Sequence, residues 1–236
     1  MITTILRFTL AAFAAGGAGL YAASRSADPA TRRKRLIKWI TYFAVVHVFL
    51  LAAFLGWEVL TMLLMAIGAA GAFELYRGLR EESSVFRGGA ALVYTIFGIG
   101  MIVFGIGSSP QRAVFVYLVV AAFDGFSQVA GQLFGKRQLA PRISPTKTLE
   151  GTLGGALMAV GLAVLLRNFA GVTLPGALIA CLWLLPAALA GDLAASWLKR
   201  KAGIKDFGRL LPGHGGILDR FDSLLVAAPV SLLVLR

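Results

Sequence analysis

Long apolar runs separated by short polar connections dominate the pattern of this chain. A helix needs about 20 mainly apolar residues to cross the hydrocarbon core of a bilayer. Eight segments approach or reach that length: Leu6–Ala23, Trp39–Leu55, Val59–Tyr76, Gly89–Gly107, Ala113–Phe134, Gly151–Ala170, Leu174–Trp197 and Phe221–Leu235. Because lipid offers no partner to an unpaired backbone group, the pattern predicts an all-α, polytopic integral membrane protein.

Composition supports a membrane protein, since 58% of the residues are hydrophobic and only 14% are charged. The single cysteine, Cys181, lies in an apolar run and cannot form an internal disulfide. Glycines such as Gly151, Gly154 and Gly155 fit close helix packing in lipid. No soluble domain or linker interrupts the pattern, so we expect one membrane-embedded domain over residues 1–236. Residues 1–110 carry little chemistry, and residues 111–236 form the predicted catalytic half.

Positive charge is concentrated in alternate loops. A net charge of +12 is by itself also typical of proteins that bind nucleic acid. Of the 23 lysines and arginines, 19 lie in four stretches: Arg25–Lys38, Arg77–Arg87, Lys136–Lys147 and Lys199–Arg220. The positive-inside rule explains this distribution without nucleic acid. It predicts a protein of the cytoplasmic membrane with these loops in the cytoplasm and both termini on the other side. The basic cluster after the first apolar run also disfavours a cleaved signal peptide.

Acidic residues inside apolar segments need an explanation. Asp124 lies about 15 Å from the end of its segment near Phe134, at 1.5 Å per residue. A carboxylate at that depth costs several kcal/mol unless it faces protein, water or a cation. We therefore expect a polar cavity open to the cytoplasm, with a protonated Asp124 bonded to a neighbouring helix as the alternative. Glu74 lies near Arg77, which predicts an interfacial ion pair.

The loop before the sixth segment has features of an anion site. Pro145 disfavours helical geometry at Ser144. Thr148 is a predicted N-cap, and the free N–H groups of the following helix, together with Lys147, suit an anion. An ordinary interfacial loop with a capped helix is the alternative.

The stretch from Asp192 to Asp222 combines acids, cations and glycines. Asp192, Ser196 and Lys199 share one helix face at positions i, i+4 and i+7. Asp219 and Asp222 share another, and carboxylates are hard oxygen ligands that suit Mg²⁺. The sequence between them, Pro212 to Gly216, is too glycine-rich for a helix and is expected to let backbone N–H groups approach phosphates. Acids and cations at a cytoplasmic surface indicate metal-assisted phosphoryl or nucleotidyl transfer.

These residues also resemble a known family. The motif Ser196-x-Leu198-Lys199-Arg200-x4-Lys205-Asp206-x-Gly208-x2-Leu211-Pro212-x-His214-Gly215-Gly216-Ile217-x-Asp219-Arg220-Phe221-Asp222 resembles the diagnostic motif of phosphatidate cytidylyltransferases, or CDP-diglyceride synthetases. Two further blocks agree: Ser144-Pro145-x-Lys147-Thr148-x-Glu150-Gly151, and Gly191-Asp192 followed by Ser196. The resemblance implies transfer of a cytidylyl group from CTP to phosphatidate, which gives CDP-diacylglycerol and pyrophosphate in phospholipid biosynthesis.

The resemblance also implies roles for individual residues. Asp192 and Asp219 would be ligands of Mg²⁺, and a second cation is left open. The expected catalytic residues are Asp192, Asp219, Asp222, Lys205 and Asp124. The expected substrate-binding residues are Ser144, Lys147, Ser196, Lys199, Arg200, His214, Gly215, Gly216 and Arg220. The expected partners are CTP, phosphatidate or a related lipid phosphate, and membrane lipids, with a homodimer left open.

The chain departs from the family pattern at two positions after Asp124. Gln128 stands where the family usually has an aromatic residue, and Gln132 stands where it usually has Arg or Lys. These changes leave the acceptor lipid more open than the reaction class. The alternatives are a relative that acts on another lipid phosphate, an inactive membrane scaffold, and an ion-coupled transporter that uses Asp124.

Overall fold

The computed structural model describes residues 2–25, 28–213 and 215–235. Within these residues the chain forms eight helices and one β-hairpin: α1 Ile2–Ala23, α2 Pro29–Leu55, α3 Trp57–Gly78, α4 Ser84–Gly107, α5 Pro110–Phe134, β1 Gln138–Ala140, β2 Ser144–Thr148, α6 Leu149–Ala170, α7 Leu174–Lys201 and α8 Leu218–Val234. Each predicted apolar segment coincides with one helix. The predicted helical membrane architecture is confirmed, apart from the hairpin, which the sequence pattern did not indicate.

The helices differ in their capacity to cross a membrane. Among the described residues, α2 to α7 are long and apolar enough to span one. The apolar part of α1 is shorter, Ile5–Ala18. Helix α8 has 17 residues and carries Asp219, Arg220 and Asp222 in its first turns. Eight crossings with both termini on the non-cytoplasmic side therefore stay a prediction.

Local signals set the ends of α2. The side chain of Asp28 accepts a hydrogen bond from Thr31 N at 2.9 Å, and Pro29 occupies the first helical position. The helix thus begins well before the predicted start at Trp39, and the basic run that precedes Trp39 is helical. At the other end, Gly56 has φ 129°, a backbone conformation that glycine adopts readily. This residue ends α2 and separates it from α3, at the boundary that the sequence predicts.

Helix α5 lies at the centre of the molecule. Its residues from Ala113 to Val120 are all buried, and α2, α6, α7 and α8 all pack against it. The main apolar core takes side chains from all eight helices. Phe49 of α2 stacks on Tyr117 of α5 with ring centroids 3.9 Å apart. The part of α5 from Ala113 to Val120 is therefore surrounded largely by protein rather than by lipid.

Small residues bring α5 and α6 into close contact. A Cβ added to Gly155 would lie 2.6 Å from Phe123 O and 2.8 Å from Ser127 N. A Cβ added to Gly151 would lie 2.9 Å from Gly131 Cα. The close packing expected at these glycines is confirmed, and it holds the start of α6 against the end of α5.

We expect Gly155→Ala to destabilise the protein, because the added methyl group meets backbone atoms that cannot rotate away. Overpacking of this kind costs about 1–3 kcal/mol. Gly161→Ala on the same helix is the matched control, since nothing lies within 4 Å of a Cβ at Gly161. Thermal unfolding in detergent measures both variants. Equal melting temperatures for the two would contradict the packing described for α5 and α6.

Candidate active site

Charged side chains from four elements converge at one end of the bundle. Lys147 of β2 contacts Asp192 of α7 through its ammonium group. It also lies within electrostatic range of Asp124 of α5 and Asp222 of α8. The side chains of Lys147 and Asp192 are 23% and 22% exposed, so both are accessible from outside. Three motif blocks that are far apart in sequence thus meet in one cluster.

The β-hairpin places Lys147 in this cluster. Strands β1 and β2 pair antiparallel, with Gln138 opposite Thr148. Thr148 then caps α6, because its Oγ1 accepts from Gly151 N at 3.1 Å. This confirms the predicted helix start. Glu150 Oε2 accepts from Lys136 N at 3.0 Å and from the next backbone N–H at 3.1 Å, which ties the hairpin to the end of α5.

The surroundings of Lys147 shift its pKa. Burial lowers the pKa of the Lys147 ammonium from its ordinary value. The carboxylates of Asp124 and Asp222 act in the opposite direction, and the like charge of Lys199 adds to the lowering. Lys147 therefore lies in a partly dehydrated position, in contact with Asp192 and near two further acids and a second lysine.

Both carboxylate oxygens of Asp219 accept hydrogen bonds from other residues of the protein. Its Oδ1 accepts from Lys199 Nζ at 2.8 Å, and its Oδ2 accepts from Phe207 N and Gly216 N, both at 2.9 Å. The side chain of Asp219 is 1% exposed and that of Lys199 is 11% exposed. Of the stretch Pro212 to Gly216, which is predicted to let backbone N–H groups approach phosphates, the Gly216 N–H donates to Asp219 in this structure.

The acids deeper in the bundle are less completely bonded. Asp222 Oδ1 accepts from Ser223 N at 2.8 Å. The Ser223 hydroxyl is buried, faces the Asp124 carboxyl, and makes no hydrogen bond of strict geometry among the described residues. A Cβ at Gly191 would strike the Asp222 carbonyl group. Glycine at that position lets α7 and α8 touch directly beside Asp192.

Other predicted site residues lie around the cluster with fewer contacts. Arg200 Nε donates to Ile143 O at 3.3 Å, which links α7 to the hairpin. The Gly215 carbonyl accepts from Leu211 N at 2.9 Å. His214 lies outside the described residues. The remaining predicted residues make neither an ion pair nor a side-chain hydrogen bond within the described part of the chain. Of these, Ser144 and Ser196 are half-buried, and Lys205 and Arg220 are exposed.

Glu74 takes part in the site, although the sequence analysis missed this role. Its Oε1 accepts from Ile217 N at 3.1 Å and its Oε2 accepts from Leu218 N at 2.9 Å, at the start of α8. The expected ion pair with Arg77 is wrong, since the Arg77 guanidinium instead lies 5.6 Å from the centre of the Phe73 ring. An acid in an otherwise apolar helix was the available signal, but the nearby basic residue suggested a local partner.

Comparison with known proteins identifies the family. A model described as the cytidylyltransferase family matches residues 6–236. The chain belongs to the cytidylyltransferase family. This result agrees with the resemblance noted in the sequence motifs.

Three relatives of this chain are named phosphatidate cytidylyltransferase. The protein from Haemophilus influenzae is 41% identical over 122 residues, which cover 49% of this chain and 42% of the relative. The protein from Brucella abortus is 45% identical over 123 residues, covering 51% and 45%. The protein from Thermotoga maritima is 37% identical over 173 residues, covering 66% and 63%. The matched region thus spans about half the length of the first two relatives.

The acids of the cluster fit Mg²⁺ unequally. No group of three or more His, Cys, Asp or Glu residues within the described ranges converges as a complete cage. Mg²⁺ usually keeps several waters and uses one or two carboxylates together with substrate phosphates, so a complete cage is unnecessary. Asp192 is partly exposed, and its Oδ2 contacts the Lys147 ammonium, so a cation at this carboxylate would share it with Lys147. Asp219 fits less well, because both of its oxygens already accept hydrogen bonds.

We expect Asp219→Asn to destabilise the cytidylyltransferase fold. The change removes the charge that balances Lys199 and turns an amide group toward existing donors. Leaving one member of a buried ion pair unpaired costs on the order of 3 kcal/mol. Thermal unfolding in detergent measures the loss, with Asp206→Asn, an exposed acid of the loop before α8, as the control. A melting temperature for Asp219→Asn equal to that of the control would contradict the structural role of Asp219.

Proposed function

We propose that this protein transfers a cytidylyl group from CTP to phosphatidate and forms CDP-diacylglycerol and pyrophosphate. The observation that carries the proposal is the meeting of Lys147 and Asp192, from two separate motif blocks, beside the Lys199–Asp219 pair of the third. Membership of the cytidylyltransferase family and the printed names of the relatives support the reaction class.

In the proposed reaction the protein positions two phosphate compounds. A phosphatidate oxygen attacks the α-phosphorus of CTP and forms the new P–O bond. The bond from the α-phosphorus to the bridging oxygen breaks, and the electron pair leaves with pyrophosphate. No covalent enzyme intermediate is needed, so catalysis depends on orientation and on neutralising charge. We assign phosphate binding to Lys147 and Arg220, with Arg200 and Lys205 at the exposed rim.

Mg²⁺ would neutralise charge on the departing pyrophosphate when it is bound. We propose Asp192 as its principal protein ligand, with Asp222 and Asp124 as nearby acids. Asp219 and Lys199 serve in this account as a charge pair that orients the start of α8, because their polar atoms are already bonded to each other and to the backbone. The earlier assignment of Asp219 to the metal stays a prediction.

The acceptor lipid is the finer part of the proposal. Gln128 and Gln132 follow Asp124 at i+4 and i+8, so they lie on the same side of α5, and both are exposed. A lipid phosphate whose acyl chains stay in the bilayer would approach the acids along such a polar stripe. Phosphatidate is our proposed acceptor, and another lipid phosphate is the alternative.

The catalytic proposal predicts a CDP-lipid from purified protein, radiolabelled CTP, phosphatidate and Mg²⁺. Asp192→Asn should reduce turnover at least about 100-fold, because it removes the proposed metal ligand. A chelator should abolish product, and added Mg²⁺ should restore it. Glu81→Gln, an exposed acid in the turn between α3 and α4, is the control. Product from lysophosphatidate or polyprenyl phosphate alone would change the acceptor, and no product from any of the three would favour a scaffold.

The proposed topology has eight crossings, with the active site facing the cytoplasm and both termini on the other side. A matched pair of exposed glutamates tests this after replacement of Cys181, which is buried. In intact cells an impermeant maleimide should label Glu58→Cys, in the first turn of α3. It should label Glu81→Cys, between α3 and α4, only after the membrane is opened. The reverse pattern would contradict the proposed orientation.

A further inference from the structure

Glu74 of α3 caps a helix that lies far from it in sequence. Its side chain is buried, and each carboxylate oxygen accepts one backbone N–H from the start of α8, at 3.1 Å from Ile217 and 2.9 Å from Leu218. N–H groups in the first turn of a helix have no partner within the helix. A carboxylate is favourable there because the helix dipole is positive at its N-terminus. The two bonds also offset the cost of burying the charge.

Two glycines of the motif make room for Glu74. A Cβ added to Gly216 would lie 2.6 Å from Glu74 Cδ, and one added to Gly208 would lie 2.7 Å from the same atom. Neither glycine has a positive φ, whereas Gly213 and Gly215 of the same loop do. Gly208 and Gly216 are therefore required for space around Glu74 and not for their backbone conformation.

Glu74 and Asp219 divide three consecutive backbone donors between them. The Gly216 N–H binds Asp219 Oδ2, and the N–H groups of Ile217 and Leu218 bind Glu74. The segment from Gly216 to Asp219 is thus held by two carboxylates, that of Glu74 from α3 and that of Asp219 itself. Asp219 in turn binds Lys199, so a chain of hydrogen bonds connects Glu74, through this segment, to the end of α7.

We propose that Glu74 is a positioning residue of the active site, which holds the Gly216–Asp219 segment so that Asp219 and Lys199 are aligned beside the phosphate-binding cluster. The proposal rests on the proposed cytidylyl transfer for its functional part. It assigns a catalytic contribution to residues 1–110, where the sequence motifs indicated little chemistry. Glu74 acts through Asp219 and does not contact substrate.

The test compares Glu74→Gln with Glu58→Gln, an exposed glutamate at the other end of the same helix. Full-length protein in nanodiscs is assayed with CTP and phosphatidate. Because Glu74 is proposed to act without contacting CTP, we expect Glu74→Gln to lower kcat about tenfold or more while the KM for CTP changes less than about threefold. Glu58→Gln should match the wild type. Equal kcat values for the two variants would overturn the proposal.

Hydrogen exchange supplies a readout that does not depend on activity. Amides from Gly216 to Asp219 should exchange at least about tenfold faster in Glu74→Gln, while amides in the middle of α8 keep their wild-type rates. Unchanged exchange at this segment would overturn the positioning role. If exchange quickens but the wild type makes no CDP-lipid, the proposed function fails, and the catalytic part of the Glu74 proposal fails with it while the cap stands.

A double-mutant cycle connects the glycines to Glu74. Gly216→Ala should lower activity in the wild-type background, because its methyl group meets the Glu74 carboxyl group. In a Glu74→Ala background that obstacle is gone, so Gly216→Ala should add less than about a twofold further loss. Fully multiplicative losses would show that the two positions act independently and would contradict the proposal.

Discussion

The buried ion pair between Lys199 and Asp219 is the interaction on which the rest of the site depends. Removing two charges from water is costly, and it is tolerated only where geometry and additional hydrogen bonds compensate. Asp219 meets that condition with three donors: the Lys199 ammonium and two backbone N–H groups. Those donors come from the end of α7, the following loop and the start of α8. One carboxylate therefore fixes the relative positions of three segments, and Glu74 adds a fourth from α3.

Lys199, Asp219 and Glu74, with the segments they bind, form a fixed frame. A second group of charged side chains lies beside this frame and makes fewer hydrogen bonds. Lys147 and Asp192 are partly exposed and form an ion pair with each other. The buried Ser223 hydroxyl lacks a hydrogen bond of strict geometry within the described residues. Unsatisfied polar atoms in a low-dielectric region are costly, and a ligand that satisfies them gains affinity. This division fits the proposed cytidylyl transfer, in which Lys199 and Asp219 would hold their segments in place while Lys147 and Asp192 would receive the substrates and the metal.

Most features that depend on neighbouring residues in the chain, such as helix positions and caps, were predicted from the sequence. Segment length and hydropathy located all eight helices, and Thr148 marked the start of α6 because an N-cap is a local signal. Motif resemblance placed Lys147, Asp192 and Asp219 in one site. The β-hairpin was missed, since its strands are too short for an alternating pattern to register. Glu74 was missed because its partners lie more than 140 residues away, and no local spacing reveals a cap supplied by another helix.

A structure of the protein in nanodiscs with CTP and Mg²⁺ tests the central claim most directly. The account predicts that the triphosphate lies against Lys147 and Arg220, that the metal contacts Asp192, and that Lys199 Nζ stays within hydrogen-bond distance of Asp219. A triphosphate bound by Lys199, with the Lys199–Asp219 pair broken, would contradict the division into a fixed frame and an open binding cluster. So would a triphosphate bound far from Lys147.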